Sequence, residues 1–256
     1  MLPLDKELLS FAEQLADRAR GITRQYFRQA LSIIDKNDAS PVTVADQETE
    51  AALRALINQH YPEHGIIGEE YGAQTSASPY RWIIDPIDGT RSFISGFPIY
   101  CTLIALLYHD KPVLSIIDMP MLDERFLAAG EGSRLNGQTI RVSQCREISQ
   151  ALAYSTDPGM FDVRQYERHQ QVVRQVRQQR YTGDGYAYAM LAAGWIDLVV
   201  EAGMKIHDFL PLIPIIEEAG GIISDWQGQP LTTRSNGEIL AAATPELHRQ
   251  AMALLN

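Results

Sequence analysis

The run Trp82-Ile83-Ile84-Asp85-Pro86-Ile87-Asp88-Gly89-Thr90-Arg91 holds the residue types best suited to chemistry in this chain. Three apolar residues read as a short buried strand ending on Asp85, and Pro86 is expected to stop it. Asp88 follows three positions later, so both carboxylates can project from one turn. Gly89 lets the backbone approach a ligand closely, and Thr90 adds a hydroxyl beside backbone N–H groups. Such a pair of carboxylates suits the holding of hard divalent cations against a phosphate. The same D-P-x-D-G run is also a good turn sequence, so the rest of the chain has to decide between turn and site.

Other acids stand at comparable places. Gly65-Ile66-Ile67-Gly68-Glu69-Glu70-Tyr71-Gly72 again ends an apolar strand in two carboxylates between glycines. Paired acids there are solvated loop charge, metal ligands or a water-activating base. Thr43 and Asp46 have the spacing of an N-cap and its acidic partner, so Asp46 reads first as a helix cap. Asp208 stands where a helix begins and also reads as an N-cap. His207 beside it reads as a packed or surface histidine without chemistry.

The elements that must position these acids follow from periodicity. Leu8, Ala12, Leu15, Ala19, Ile22 and Tyr26 recur at helical steps, predicting an amphipathic helix over roughly the first thirty residues. The polar loop from Lys36 runs into a second helix that Pro62 closes. A short helix is expected over Ser92 to Gly96, its N-terminus facing Gly89 and Thr90 as a phosphate cradle. Strands are expected over Tyr100–Tyr108, Val113–Asp118 and Arg125–Ala129, with a hairpin turn at Asn136-Gly137. Strands in succession predict a largely antiparallel first sheet, with a boundary near Val142 to Ser149. Beyond it, strands at Ala151, Ile196, Ile222 and Ile239 alternate with helices over Tyr166–Gln179, the stretch after Gly183-Asp184-Gly185, Asp208–Ala219 and Pro245–Leu254, which favours an α/β unit. Pro214 is expected to bend or delay the third of these helices.

Composition excludes several classes. The chain has 256 residues, 45% apolar and 21% charged, with a net charge of −10. That acidity argues against general nucleic-acid binding, and the stripe Arg174, Arg177, Arg180 reads mainly as a solvated face. Cys101 and Cys145 form no disulfide framework, and neither a signal pattern nor a membrane-length apolar run is visible, so a reducing cytoplasm is expected.

Taken together, Gly68-Glu69-Glu70, Trp82-Ile83-Ile84-Asp85-Pro86-Ile87-Asp88-Gly89-Thr90 and Asp208 ahead of Glu218-Ala219-Gly220-Gly221 resemble the inositol monophosphatase-like metal-dependent phosphatases. The loop from Ser40 to Asp46 is similar to a fourth signature of that family. Arg91-Ser92-Phe93-Ile94-Ser95-Gly96, Arg180, Gly183-Asp184 with Tyr186-Ala187-Tyr188, and Leu198 to Gly203 resemble its histidinol-phosphatase branch most. His207-Asp208 departs from the Trp-Asp or Tyr-Asp of many relatives, which bears on the pocket wall.

The resemblance implies a mixed α and β fold, a layered αβαβα sandwich of the sugar-phosphatase type. Residues 1–145 would form a metal- and phosphate-binding domain and 146–256 an α/β domain completing the site. It implies Mg²⁺ as cofactor, two or three ions, with Glu69, Asp85, the Ile87 carbonyl, Asp88 and Asp208 as ligands. Asp46 and Thr90 would pair beside the attacking water, replacing the cap-only reading of Asp46, with Glu69 also catalytic. Gly89 and Thr90 would bind phosphate, while Arg180, Asp184 and Glu201 would bind substrate. The implied reaction is hydrolysis of L-histidinol phosphate, or alternatively of an inositol or other sugar phosphate, by a homodimer without nucleic-acid or membrane partners.

Overall fold

The computed structural model describes residues 5–30, 33–35 and 41–256. The polar loop from Lys36 to Ser40, whose last residue opens the expected fourth signature, lies outside the described residues. The chain opens with helix α1 (Lys6–Tyr26), capped by Asp5 and buried along Leu8, Ala12, Leu15, Ala19 and Ile22. A ribbon of β1 (Ile33–Asp35) and β2 (Pro41–Thr43) leads into α2 (Val44–His60). Then come β3 (Gly65–Gly68), β4 (Gly72–Gln74), β5 (Tyr80–Asp88), the short α3 (Thr90–Ile94), β6 (Cys101–Tyr108), β7 (Lys111–Met119), β8 (Glu124–Ala128), β9 (Arg134–Leu135) and β10 (Gln138–Thr139). The second half holds β11 (Leu152–Ser155), α4 (Val163–Val173), β12 (Gln178–Tyr181), α5 (Asp184–Ala192), β13 (Leu198–Glu201), α6 (Ile206–Phe209), α7 (Leu212–Glu218), β14 (Ile222–Ser224), β15 (Ile239–Ala242) and α8 (Pro245–Leu255).

Among the described residues, the first sheet has eight strands in the order β10-β9-β8-β7-β6-β5-β3-β4. Its pairs are antiparallel except β3 with β5. The Asn136-Gly137 turn has φ of 48° and 80° at its two residues, the left-handed pair that a tight hairpin needs. The second sheet has five strands in the order β12-β11-β13-β15-β14 and mixes parallel and antiparallel pairs.

Alternation along β5 explains the layers, because successive strand residues point to opposite faces. Trp82 and Ile84 pack with Phe11, Leu15, Leu53 and Ile57 under α1 and α2. Ile83 faces the other way, into a cluster with Leu103, Ile117, Leu191, Val199, Ile215 and Ala241. Helices α5 and α7 therefore lie between the sheets, and α4 and α8 cover the far face of the second sheet around Val172, Leu240 and Ala251. The result is the expected αβαβα sandwich, its central core drawn from both sheets.

Several local expectations are corrected. The helix predicted over Tyr166–Gln179 starts earlier, at an Asp162/Gln165 capping box, and ends at Val173. Gln178 to Tyr181 instead pair in parallel with β11. A polar stretch fits an exposed helix or an edge strand equally, so the neighbouring strand decides. The helix predicted over Asp208–Ala219 is two helices broken at Leu210-Pro211. Pro214 falls in the first turn of α7, where its missing N–H costs no intrahelical bond.

His169 is fully buried on α4, stacked on Phe161, with Nε2 2.9 Å from Ser155 Oγ. Burial lowers its pKa to about 4, whereas an unfolded histidine titrates near about 6.5. Between those values the unfolded chain binds the extra proton, so stability falls as pH drops through that window. Urea melts from about pH 7 down to about pH 4 should show this loss, with a shallower slope in His169→Gln. An unchanged slope would remove His169 as the cause.

Candidate active site

The site is organised by an irregularity in β5. Asp85 pairs with Leu103 of β6, and the next pair is Asp88 with Cys101, so three steps of β5 match two of β6. In a regular strand, residues three apart face opposite sides. The extra residue brings both aspartates to the side facing the central layer. Pro86 does not stop the strand, contrary to expectation, because the bulge excuses it from the ladder. Its carbonyl accepts a hydrogen bond from Thr102 Oγ1 at 2.8 Å. Asp85 Oδ1 is held by the Ile87 N–H at 3.1 Å.

Other elements aim acids at the same place. Glu69 follows β3, tied to β5 by its N–H donating to the Ile84 carbonyl at 3.2 Å. One ligand atom from each of Glu69, Asp85 and His207 lies within 4.8 Å of the others. Asp208 sits inside the first turn of α6, not at the cap as expected, and its Oδ2 accepts the Lys205 N–H at 2.7 Å. Asp88 Oδ2 accepts from the Gly185 N–H at the start of α5 and from the Cys101 thiol at 3.2 Å. Burial, then Glu69, Asp88 and Asp208, push the Asp85 carboxyl well up. Burial, then Asp184 and Asp208, do the same to Asp88.

Asp46 serves two roles at once. Its Oδ2 closes a capping box on Thr43, accepting the N–H at 2.8 Å and the hydroxyl at 2.6 Å. Its Oδ1 is 3.4 Å from Thr90 Oγ1, which also donates to the Ile87 carbonyl at 3.0 Å. Burial raises the Asp46 carboxyl. Helix α3 begins at Thr90, two residues before the expected start, with Gly89 left-handed at φ 84°. A side chain on Gly89 would meet the Asp184 carboxylate at 2.9 Å, so both the turn and this approach require glycine.

A cavity of about 380 Å³ adjoins the cluster, lined by Asp88, Asp208, Asp184, Glu201, Arg91 and Lys205, among others. Glu201 is buried and gripped by the Thr156 N–H at 2.8 Å, by the Thr156 hydroxyl, and by Tyr188 Oη at 3.0 Å. Burial raises Glu201 to about 7 and Asp184 to about 6. Arg91 is 72% exposed at the rim and pairs with Asp157 at 3.2 Å. Arg180 is exposed on β12 and is not among the lining residues of the cavity. Sequence reading missed His207 at the cluster, Cys101 on Asp88, and the Thr156 and Tyr188 grip on Glu201. Adjacency to Asp208 was the one visible signal for His207; the others arise from pairing across long separations.

The sequence pattern of the inositol monophosphatase family matches residues 4–256. The chain is 43% identical over 264 residues to the chloroplastic bifunctional phosphatase IMPL2 of Arabidopsis thaliana, covering 98% of this chain and 76% of that one. It is 35% identical over 250 residues to a histidinol-phosphatase of Chlorobaculum parvum, covering 96% of each. The solved structure of an inositol monophosphatase from Zymomonas mobilis superposes with a TM-score of 0.90 at 39% identity, covering 98% of each chain. This chain belongs to the inositol monophosphatase family. It is a phosphatase of that family, whose members are metal-dependent, generally on Mg²⁺.

The donor set fits that ion. Its acids and the Ile87 carbonyl offer hard oxygen, as Mg²⁺ prefers. Burial and then Asp88 push the Cys101 thiol well up, in keeping with its S–H donating to Asp88. Buried like charges cost stability unless a cation lies between them. Asp85→Asn should therefore raise the melting temperature of the EDTA-treated protein, while abolishing the gain on adding Mg²⁺. Thermal melts with and without Mg²⁺ test this; a lower EDTA melting temperature would contradict it.

Proposed function

We propose that the protein hydrolyses L-histidinol phosphate to L-histidinol and phosphate, using the acids at the β5 bulge as an Mg²⁺ site. In this reading Glu69, Asp85 and the Ile87 carbonyl would hold one ion, and Asp85, Asp88 and Asp208 would hold a second. A third, looser ion would use Glu69. Bound ions of this kind neutralise phosphate charge and bring a water near its deprotonation range at neutral pH. The chain then positions the reaction. The Thr90 hydroxyl, turning its one hydrogen from the Ile87 carbonyl to Asp46 Oδ1, would present a lone pair to the water, and the raised Asp46 carboxyl would receive the proton. Gly89 and Thr90 N–H groups hold phosphate oxygens, since the first amides of a helix lack intrahelical acceptors. The ester P–O bond breaks as the water oxygen joins phosphorus, and the departing alkoxide takes up a proton from solvent to become the alcohol. Residues 1–145 supply the metal and phosphate site and 146–256 complete it; a cytoplasmic homodimer is part of the proposal.

The observation carrying the substrate is the acid lining beyond the metal cluster. Asp184 and Glu201 face the cavity and suit the ammonium group of an amino-alcohol phosphate. One observation favours the second reading, an inositol or other sugar phosphate. A Glu201 carboxyl near pH 7 shares its proton, so it suits a ring hydroxyl too, and the relative from Zymomonas mobilis bears that name.

Turnover of L-histidinol phosphate, myo-inositol 1-phosphate and a nucleotide monophosphate under saturating Mg²⁺ separates the readings. The highest kcat/KM is expected for L-histidinol phosphate, and a higher value for inositol phosphate would overturn that choice. Asp88→Asn should abolish phosphate release from every substrate. Asp184→Asn and Glu201→Gln should each raise KM for L-histidinol phosphate about tenfold or more, the size of a lost charged hydrogen bond.

A further inference from the structure

Helix α2 carries a carboxylate outside the cluster that the reaction does not touch. Glu50 is fully buried. Its Oε2 accepts the Glu70 N–H at 2.6 Å, and its Oε1 accepts the Tyr71 N–H at 3.2 Å and the Arg54 Nε at 2.7 Å. Arg54 also donates to the Gly72 carbonyl and stacks its guanidinium 5.9 Å from the Tyr71 ring centre. The turn after β3 is thus gripped through its amides by the carboxylate and through its carbonyl by the guanidinium. Gly68 completes the fit, since a side chain there would fall inside the Glu50 carboxylate.

A buried carboxylate is costly unless it is paired and fully hydrogen-bonded. Here the pairing is local, one helical turn away, and the remaining acceptors are spent on the turn that presents Glu69. We propose that Glu50, with Arg54, is a positioning residue for metal binding. It fixes the Glu69 carboxylate opposite Asp85, although neither residue touches ion or substrate. This rests on the reading of Glu69 and Asp85 as metal ligands. Asp46 and Glu50 stand four positions apart on α2, so one helix end sets both the water-facing pair and the Glu69 turn.

The direct test is Mn²⁺ binding without substrate, by titration calorimetry or by loss of the free-ion paramagnetic resonance signal. Glu50→Gln keeps size and one acceptor but turns a donor toward a backbone N–H. It should melt as a folded protein in EDTA and bind Mn²⁺ about tenfold more weakly, the usual effect of losing a group that orients a ligand. The Mg²⁺ concentration for half-maximal phosphate release should rise by a similar factor, and added Mg²⁺ should recover the rate. A folded Glu50→Gln protein with wild-type Mn²⁺ affinity overturns the proposal. If Glu50→Gln fails to fold, Arg54→Gln carries the test with the same readout, and unchanged affinity there overturns it. Unmutated protein that binds no Mn²⁺ overturns the metal reading and this inference with it, whereas binding by unmutated and mutant protein alike overturns this inference alone.

Discussion

Like-charged carboxylates gathered in one poorly solvated place are the constraint on which this structure turns. Glu69, Asp88 and Asp208 press on Asp85, and burial raises the cost of charging the three aspartates. The fold tolerates them because one side of each aspartate is already spent on a backbone amide: Ile87 for Asp85, Gly185 for Asp88, Lys205 for Asp208. Past those bonds, one ligand atom from each of Glu69, Asp85 and His207 lies within 4.8 Å of the others. A hard divalent cation there would turn the repulsion into attraction, so affinity for the ion and a stability cost without it would have one origin.

Three distant pieces of backbone must meet for that convergence. The β5 bulge turns Asp85 and Asp88 to one face. The parallel pairing of β3 with β5 carries Glu69 alongside. The layer between the sheets brings the first turns of α5 and α6, with Gly185 and Asp208, against the bulge. The apolar cluster joining Ile83, Leu103, Leu191, Phe209 and Ile215 fixes that layer, and close-packed interiors allow little drift in what they carry. The cavity beside the cluster opens where β13 ends, at Glu201.

Much of this was legible in the residues. The D-P-x-D-G-T run, the G-E-E strand end and the Asp208 stretch were separately ambiguous, and their order along one chain resembled a single family. Period-three-and-four apolar spacing gave α1, and Asn136-Gly137 gave its hairpin, because both signals are local. The Thr43–Asp46 cap was equally local and forms as read. Where reading failed, a distant partner had decided. Pro86 continues a strand because β6 accepts a bulge, and Gln178 to Tyr181 become an edge strand because β11 lies beside them.

The sequence by itself determined the kind of chemistry: oxygen-rich acids beside glycine and threonine, in a chain of net charge −10 and without thiolate spacing. Residue type and short spacing are sufficient for that, since ligand hardness and helix capping are properties of a few neighbouring atoms. Only the tertiary structure decided which acids face each other. It set Asp46 against Thr90 across 44 positions, gripped Glu201 through Thr156 and Tyr188, left Arg180 outside the cavity, and brought His207 to the cluster. Facing depends on sheet register, on one extra strand residue and on how two sheets pack, and those are set by contacts between segments far apart in the chain.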